Sequence, residues 1–230
     1  MIQVQKVISD TDIKRFVEFP FKLYKNSKYW VPPIINEEVN IFNPNVNPTL
    51  KNADISLFVA KKNDEIVGRI AAIINWIEVK EQEISKIRFG WFDVIDDVNV
   101  TKKLIEKVNE IGKENNLEYM EGPMGFSNLD KVGVLTHGFD KIGTMITWYN
   151  HSYYSSHFKK LNFKIEKEYL EKKFSFKNVD SDYYLKMSSI IKKRYDFKEI
   201  SFDKTKDVMN NANEMFDLFN KSYSRLSSFV

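Results

Sequence analysis

The segment spanning residues 87–123 constrains the fold more than any other. It opens with an aromatic, strand-like run (Phe89, Trp91, Phe92, Val94, Ile95) and turns at Asp96 and Asp97. A strongly periodic stretch follows, with Val100, Leu104, Val108 and Ile111 on one stripe, and this spacing predicts a helix. Gly112 and the Asn115, Asn116 pair end it, and residues 117–121 begin a second strand that stops at Gly122 and Pro123. A strand, helix, strand unit of this length is a right-handed crossover between parallel strands, which need cover on both faces. Sites in such sheets lie at the carboxyl ends of the strands, here residues 93–99 and 122–128.

Upstream, residues 2–7 alternate weakly and predict a first strand. Asp10 or Thr11 caps a helix through Ile13, Phe16, Val17 and Leu23, broken or kinked at Phe19–Pro20. Residues 30–33 are extended because two prolines follow Val31, residues 34–42 read as a short helix, and residues 43–52 are loop. The clearest hairpin joins residues 55–61 to 66–75 across a turn at residues 62–65. Its second strand, IVGRIAAIIN, is nearly all apolar, as a central strand buried on both faces requires. Residues 78–86 read as an exposed, charged connection.

Past Pro123 the texture changes. Five of the eight glycines fall between Gly122 and Gly143, in a stretch without periodicity, and such long loops are usually functional. TMITWYN then predicts a short strand, SYYSSHFKKL a helix, and FKIEKEYLEKKFSF an alternating strand, read as two joined by a bend. From residue 178 the pattern restarts. Asp180 or Ser181 caps a helix through Tyr184, Met187, Ile191 and Tyr195; a short strand spans 197–202; a last helix carries Val208, Ala212, Met215, Phe216, Phe219 and Tyr223. These stripes need a partner, so residues 177–230 are expected either to dock on the first domain or to begin a second one that is cut off at Val230.

Composition removes several classes of function. With 43% hydrophobic residues among 230, the chain can build a substantial core. A formal net charge of +3, with both signs interspersed even in the densest basic stretch (residues 159–173), argues against a nucleic-acid surface. The absence of cysteine excludes disulfides, a thiol nucleophile and cysteine-ligated metal; His137, His151 and His157 share no metal-ligand motif. No apolar run approaches a membrane span and the N-terminus lacks a signal-peptide core, so a cytoplasmic protein with no membrane partner is expected.

The order strand, helices, hairpin, strand–helix–strand, helix and terminal strand, together with particular strings, resembles the GNAT acyltransferase superfamily. FVAKKNDEIVGRIAAIIN resembles its second and third strands, FGWFDVIDD its fourth, and SYYSSHFKKLNFKIEKEYL its late helix and last strands. VPP, GRIAA, GWFD, EGPMGFSN, HGFD and YNHSYY resemble, more narrowly, a bacterial family carrying two GNAT-like domains in tandem. The resemblance covers most of residues 1–176. It implies an α/β (α+β) fold with a mixed, largely antiparallel sheet and flanking helices, and acyl transfer from acetyl-CoA or another acyl-CoA to an amine.

The resemblance also implies residue roles. A bulge on the fourth strand would present backbone to the pantetheine and thioester, making Phe92, Val94, Ile95, Asn99 and Thr101 the cofactor-binding candidates. The family's pyrophosphate loop has an Arg/Gln-x-x-Gly-x-Gly/Ala pattern, whose amides at a helix N-terminus favour an anion. Residues 96–101 instead carry two carboxylates, no glycine and no arginine, and Asp97 or Asn99 reads as the cap of the following helix. Asp93 is the candidate base for the amine and Tyr153 the candidate acid for the leaving thiolate, with Tyr154 beside it; Phe158 occupies the position of the family's usual tyrosine. Gly125, Ser127, Asn128, Tyr149 and Asn150 are the acceptor-pocket candidates.

Three functions stay open at this level. The first is a tandem-domain acyltransferase in which this domain is the degenerate, acceptor-binding half. The second is a working acyltransferase whose Lys102 and Lys103 hold the phosphates. The third is a non-catalytic scaffold that pairs with a second GNAT-like domain or another copy of the chain.

Overall fold

The computed structural model describes residues 1–127, 129–144, 147–226 and 229. Met1–Lys167 makes up nearly all of one compact unit and Glu168–Leu226 forms another.

The first unit is built on a five-stranded sheet in sequence order. Strand β1 (Ile2–Lys6) pairs antiparallel with β2 (Ala53–Lys62), β2 with β3 (Glu65–Asn75), and β3 with β4 (Lys86–Val94). The β2–β3 hairpin turns on Asn63 and Asp64, both at positive φ, which asparagine and aspartate tolerate better than most residues. After β4 comes α4 (Val98–Glu114), and β5 (Tyr119–Glu121) returns parallel to residues 86–88 of β4. The crossover expected from residues 87–123 is therefore present.

Strand β4 carries a bulge. Ala71 pairs with Gly90 and Arg69 with Asp93, so Ile70 alone faces two residues, Trp91 and Phe92. Trp91 is the residue in the left-handed region, at φ 44°. A bulky side chain is strained there by about 1–3 kcal/mol. That cost is offset where the indole packs against Phe42, Phe126 and Trp148 and donates to Glu38. The extra residue also resets the alternation. Ile87, Phe89, Phe92 and Val94 share the face covered by α4 and α5 (Tyr153–Lys160), while Trp91 turns to the face covered by α1 (Asp10–Leu23) and α2 (Ile35–Ile41).

Helix α4 follows its sequence stripe: Val100, Leu104 and Val108 are fully buried against the sheet, and burying each such side chain contributes about 1.5–3 kcal/mol. Asp97 is its cap, accepting from the Asn99 N–H. Helix α1 is capped one residue earlier than expected, by Ser9, whose hydroxyl oxygen accepts from the Asp12 N–H. It also runs through Pro20 to Leu23 instead of breaking there. Proline at that position leaves the Phe16 carbonyl without its helical donor. Arg69 Nη1 supplies the missing hydrogen bond at 2.9 Å, so the helix continues without an orphaned acceptor.

Other expectations are corrected. Residues 78–86 are an exposed connection only in the middle, over residues 80–83: α3 (Trp76–Lys80) opens it, and Glu78 and Lys86 at its two ends are buried together. Around TMITWYN, Thr147 makes an isolated parallel bridge with Val132, Met145 and Ile146 lie outside the described residues, and no strand forms among the described ones. FKIEKEYLEKKFSF is not a strand. Its Ile165, Leu170 and Phe174 are exposed and no ladder pairing forms along it, and an isolated alternating segment without a paired neighbour is not stable as a strand. The same holds for residues 197–202.

The second unit comprises a 3-10 turn (Phe176–Asn178), α6 (Ser181–Tyr195) and α7 (Thr205–Tyr223). Asp180 caps α6 by accepting from the Tyr183 N–H, and Asp196 ends it at φ 52°. Neither helix has a buried side chain, and Tyr184, Leu185, Phe216 and Leu218 are exposed.

Candidate functional site

The carboxyl end of β4 is the centre of a buried polar network. Asp93, turned to the α1 face by the bulge, accepts from Arg69 Nε and pairs with Nη2, both at 2.8 Å, and accepts from the Tyr24 hydroxyl at 2.7 Å. Tyr24 lies 3.0 Å from the Tyr154 hydroxyl. A phenol has one proton, and Tyr24 gives its own to Asp93, so Tyr154 donates to Tyr24. Tyr154 in turn accepts from the Val94 N–H at 2.9 Å, and Tyr153 donates to the Val94 carbonyl at 2.6 Å. The chain of bonds thus runs from β4 through α5 and α1 back to β4. Burial, then the Asp93 charge, push the Tyr24 and Tyr154 hydroxyls well above the usual phenol range. Tyr153 is also raised, by burial and by Asp96 and Asp93.

Next to this network, Thr101 Oγ1 lies 2.8 Å from His157 Nδ1, and His157 Nε2 lies 3.2 Å from Asp96 Oδ1. The Asp96 carboxylate can only accept, so in the neutral ring Nε2 carries the proton and Nδ1 accepts from the Thr101 hydroxyl. The α4 N-terminus therefore holds Asp96 bound to His157, and Asp97 serving as cap with Lys62 at 3.8 Å.

A second buried cluster fixes the loop after β5. Glu78 Oε1 pairs with Lys86 at 2.8 Å and with Arg88 Nη2 at 2.7 Å; Lys86 also reaches Glu121 at 2.5 Å. The two acids balance the two bases, the condition under which four charges tolerate burial. Arg88 Nη1 then donates to the carbonyls of Phe126 at 2.6 Å and Gly125 at 3.2 Å, and Asn75 Nδ2 donates to Phe126 as well. The loop lies so close to the bulge that a Cβ at Gly90 would stand 2.2 Å from the Met124 carbonyl oxygen.

Among the sequence candidates, Asp93, Tyr153, Phe92, Val94 and Thr101 gather at this strand end. Phe92 packs its ring on Tyr154 and Phe158 and is buried in the core. The Ile95 N–H pairs with Val67 on the β3 side, and Asn99 is exposed with its amide on Asp97. Tyr149 joins through a ring contact with Tyr24. Asn150 sits apart in its bonding, accepting from the Leu135 N–H and donating to its carbonyl, which pins that loop. Gly125 and Ser127 belong to the loop held by Arg88, where Ser127 N–H donates to Asp130. Asn128 lies outside the described residues. Lys102 and Lys103 are exposed.

Sequence reasoning missed Tyr24, Arg69 and Glu78. Two signals pointed to Arg69, and none to Tyr24 or Glu78: a charged residue inside the apolar strand IVGRIAAIIN, and a proline inside an amphipathic helix. Both leave a group that needs a distant partner.

Antiparallel β1–β4, a bulge on β4, and a parallel β5 reached through α4 reproduce the element order expected above as far as the late helix; the terminal strand expected after it does not form among the described residues. The fold is GNAT-like. No family model matches the chain. It is 28% identical over 163 residues to Protein YghO of Escherichia coli, covering 70% of this chain and 41% of that protein. It is 28% identical over 141 residues to a bacterial ceramide synthase of Caulobacter vibrioides, covering 60% of this chain and 36% of that protein. The chain thus spans about two fifths of the length of these relatives. Among solved structures it is similar to a predicted acetyltransferase of Clostridium acetobutylicum in complex with acetyl-CoA (14% identity, 78% of this chain, 99% of that one, TM-score 0.47). A tandem GNAT protein from the clavulanic acid pathway is similar at 10% identity over 50% of this chain and 34% of its own, TM-score 0.39.

The residues present do not fit a coenzyme A grip of the kind the fold family implies. Both backbone groups of Val94 are taken by tyrosine hydroxyls, and the α4 N-terminus, where a pyrophosphate would sit, carries the carboxylates of Asp96 and Asp97. Anions of the same sign repel at this range.

Proposed function

We propose that the chain is the acceptor-binding, cofactor-free half of an acyl-CoA-dependent N-acyltransferase-like protein, with the acyl-CoA held outside these residues. The observation that carries this reading is the pair of carboxylates, with the capped helix end, at the α4 N-terminus. Asp93 and Tyr153 then act in holding the strand end, since the Asp93 carboxylate is engaged by Arg69 and Tyr24 and the Tyr153 hydroxyl by Val94. The loop carrying Gly125 and Ser127, with Tyr149 across the strand end, is the surface assigned to the acceptor. The likeness to a ceramide synthase supports a long-chain amino alcohol as that acceptor, because a ceramide is the amide of such an amine with a fatty acid.

Thermal unfolding with separate additions of acetyl-CoA, palmitoyl-CoA and a soluble short-chain 2-amino-1,3-diol tests the reading. A ligand at a hundred times its Kd adds about 2.7 kcal/mol to stability. The amine is expected to raise Tm and both thioesters to leave it unchanged; a rise with either thioester overturns the assignment.

The exposed Phe216 and Leu218 on α7 favour a second reading, a non-catalytic module that pairs with another GNAT-like domain or another copy. Light scattering across a hundredfold concentration range distinguishes self-pairing, which raises the mass, from a monomer.

A further inference from the structure

Strand β4 has an open edge beyond the bulge. Strand β5 covers residues 86–88 only, and the Phe89 carbonyl accepts from the Met124 N–H. Past that point no strand among the described residues pairs on this side. At Val94 both main-chain polar groups turn away from β3, whose next ladder bond is made by the Ile95 N–H to Val67. An open edge offering one N–H and one C=O from the same residue is what an extended amide chain pairs with when it adds to a sheet. Here the two phenols of α5 reproduce that pairing: Tyr153 donates to the carbonyl and Tyr154 accepts from the amide.

Helix α5 is fastened in this position from two directions. Tyr154 is bonded onward to Tyr24, the C-cap of α1. One turn along α5, His157 is bonded to Thr101 and Asp96 at the start of α4. The rings of Tyr153 and His157 are also in contact, with centroids 5.2 Å apart.

We propose that α5 is a built-in occupant of an amide-recognising slot on β4, in which Tyr153 and Tyr154 take the backbone groups that an extended, amide-bearing ligand of the pantetheine type would use. This deepens the reading that the domain holds no acyl-CoA, and rests on it. It assigns the exclusion to two separable obstacles. The tyrosine pair blocks the uncharged amide arm, and Asp96 with Asp97 rejects the phosphates. Removing the first obstacle admits pantetheine, which carries no phosphate; coenzyme A additionally requires Asp96→Asn with Asp97→Asn, which keep the hydrogen bonds and remove the charges.

The test is an amide-resolved NMR titration of the whole chain with pantetheine and, separately, with coenzyme A. In the wild type, the Val94 amide is expected to exchange slowly with solvent and to stay unmoved by either probe. In Tyr153→Ala with Tyr154→Phe, Val94 exchange should speed up at least about tenfold, and pantetheine should then shift the Val94 and Ile95 amides and restore protection. Tyr153→Ala alone, at a half-exposed position, keeps the test standing if the double variant does not fold, because it frees the Val94 carbonyl and should let pantetheine shift the Ile95 amide. A wild-type Val94 amide that moves with pantetheine overturns the proposal, as does a folded variant in which pantetheine moves neither amide. Coenzyme A shifting wild-type residues away from β4 would instead defeat the reading that no cofactor binds here and leave the slot intact.

Discussion

Removing the Asp93 carboxylate should be among the most damaging single changes in this fold. Asp93→Ala deprives Arg69 Nε and Nη2 of partners at 2.8 Å and Tyr24 of an acceptor at 2.7 Å. The Arg69 side chain, 3% exposed, would keep only the Phe16 carbonyl and the face of the Phe16 ring. Stranding one member of a buried ion pair costs about 3–5 kcal/mol. The lost Tyr24 bond belongs to the same network, so its share of about 1.5–3 kcal/mol overlaps that figure more than it adds to it. Domains of this kind have about 5–15 kcal/mol in all, so a large part of the stability goes. Arg69→Met should cost a similar amount, because it leaves a buried carboxylate and reopens the Phe16 carbonyl freed by Pro20. Arg69→Met combined with Asp93→Ala removes both charges, and its loss should fall short of the summed single losses by at least about 2 kcal/mol. Urea unfolding followed by tryptophan fluorescence and circular dichroism measures all four proteins, with stability read from the midpoint at constant slope. Single variants costing less than about 1 kcal/mol, or a double variant additive within about 0.5 kcal/mol, would refute the argument.

Glu78→Ala removes the carboxylate shared by Lys86, which keeps Glu121, and Arg88, which keeps its carbonyl bonds, and should destabilise by about 3–5 kcal/mol, with Glu78→Gln milder, both measured by the same unfolding curves. Gly90→Ala places a methyl 2.2 Å from a main-chain oxygen that cannot rotate away; it should cost more than the usual overpacking loss of about 1–3 kcal/mol and raise proteolysis within residues 122–128. Asp97→Ala should cost about 0.5–2 kcal/mol through the lost cap, and Asp97→Asn almost nothing, as read from the Tm of each. Alkaline pH should also weaken the fold. Tyr24 and Tyr154 are held above their unfolded value of about 10, so above that pH the unfolded chain binds fewer protons and stability falls as pH rises, whereas below it the contribution is intact. Phenolate absorbance of the native protein should fall short of all eleven tyrosines until unfolding; full titration near pH 10 in the folded state would contradict this.

Much of the fold was legible in the order of residues because its signals are local. The stripe Val100, Leu104, Val108 has the helical period whatever surrounds it, and the turn chemistry at Asn63 and Asp64 fixes the hairpin within four residues. A cap for α4 at Asp97 or Asn99 and the absence of a glycine-rich anion loop were likewise readable, since both depend on neighbours in the chain. Alternation alone misled at residues 163–176, because a strand is stabilised by a partner edge that local sequence does not contain. The site was less legible for a related reason. Tyr24, Arg69, Asp93 and Tyr154 come from four separate elements and are joined only when β3 and β4 align with the bulge in place. One inserted residue decides that Asp93 faces α1 while Val94 faces α5. The sequence by itself determined which residues needed buried partners, Arg69 within an apolar strand and Phe16 ahead of Pro20. Only the tertiary structure decided that they satisfy each other, because a hydrogen bond depends on distance and direction in space and neither is encoded in separation along the chain.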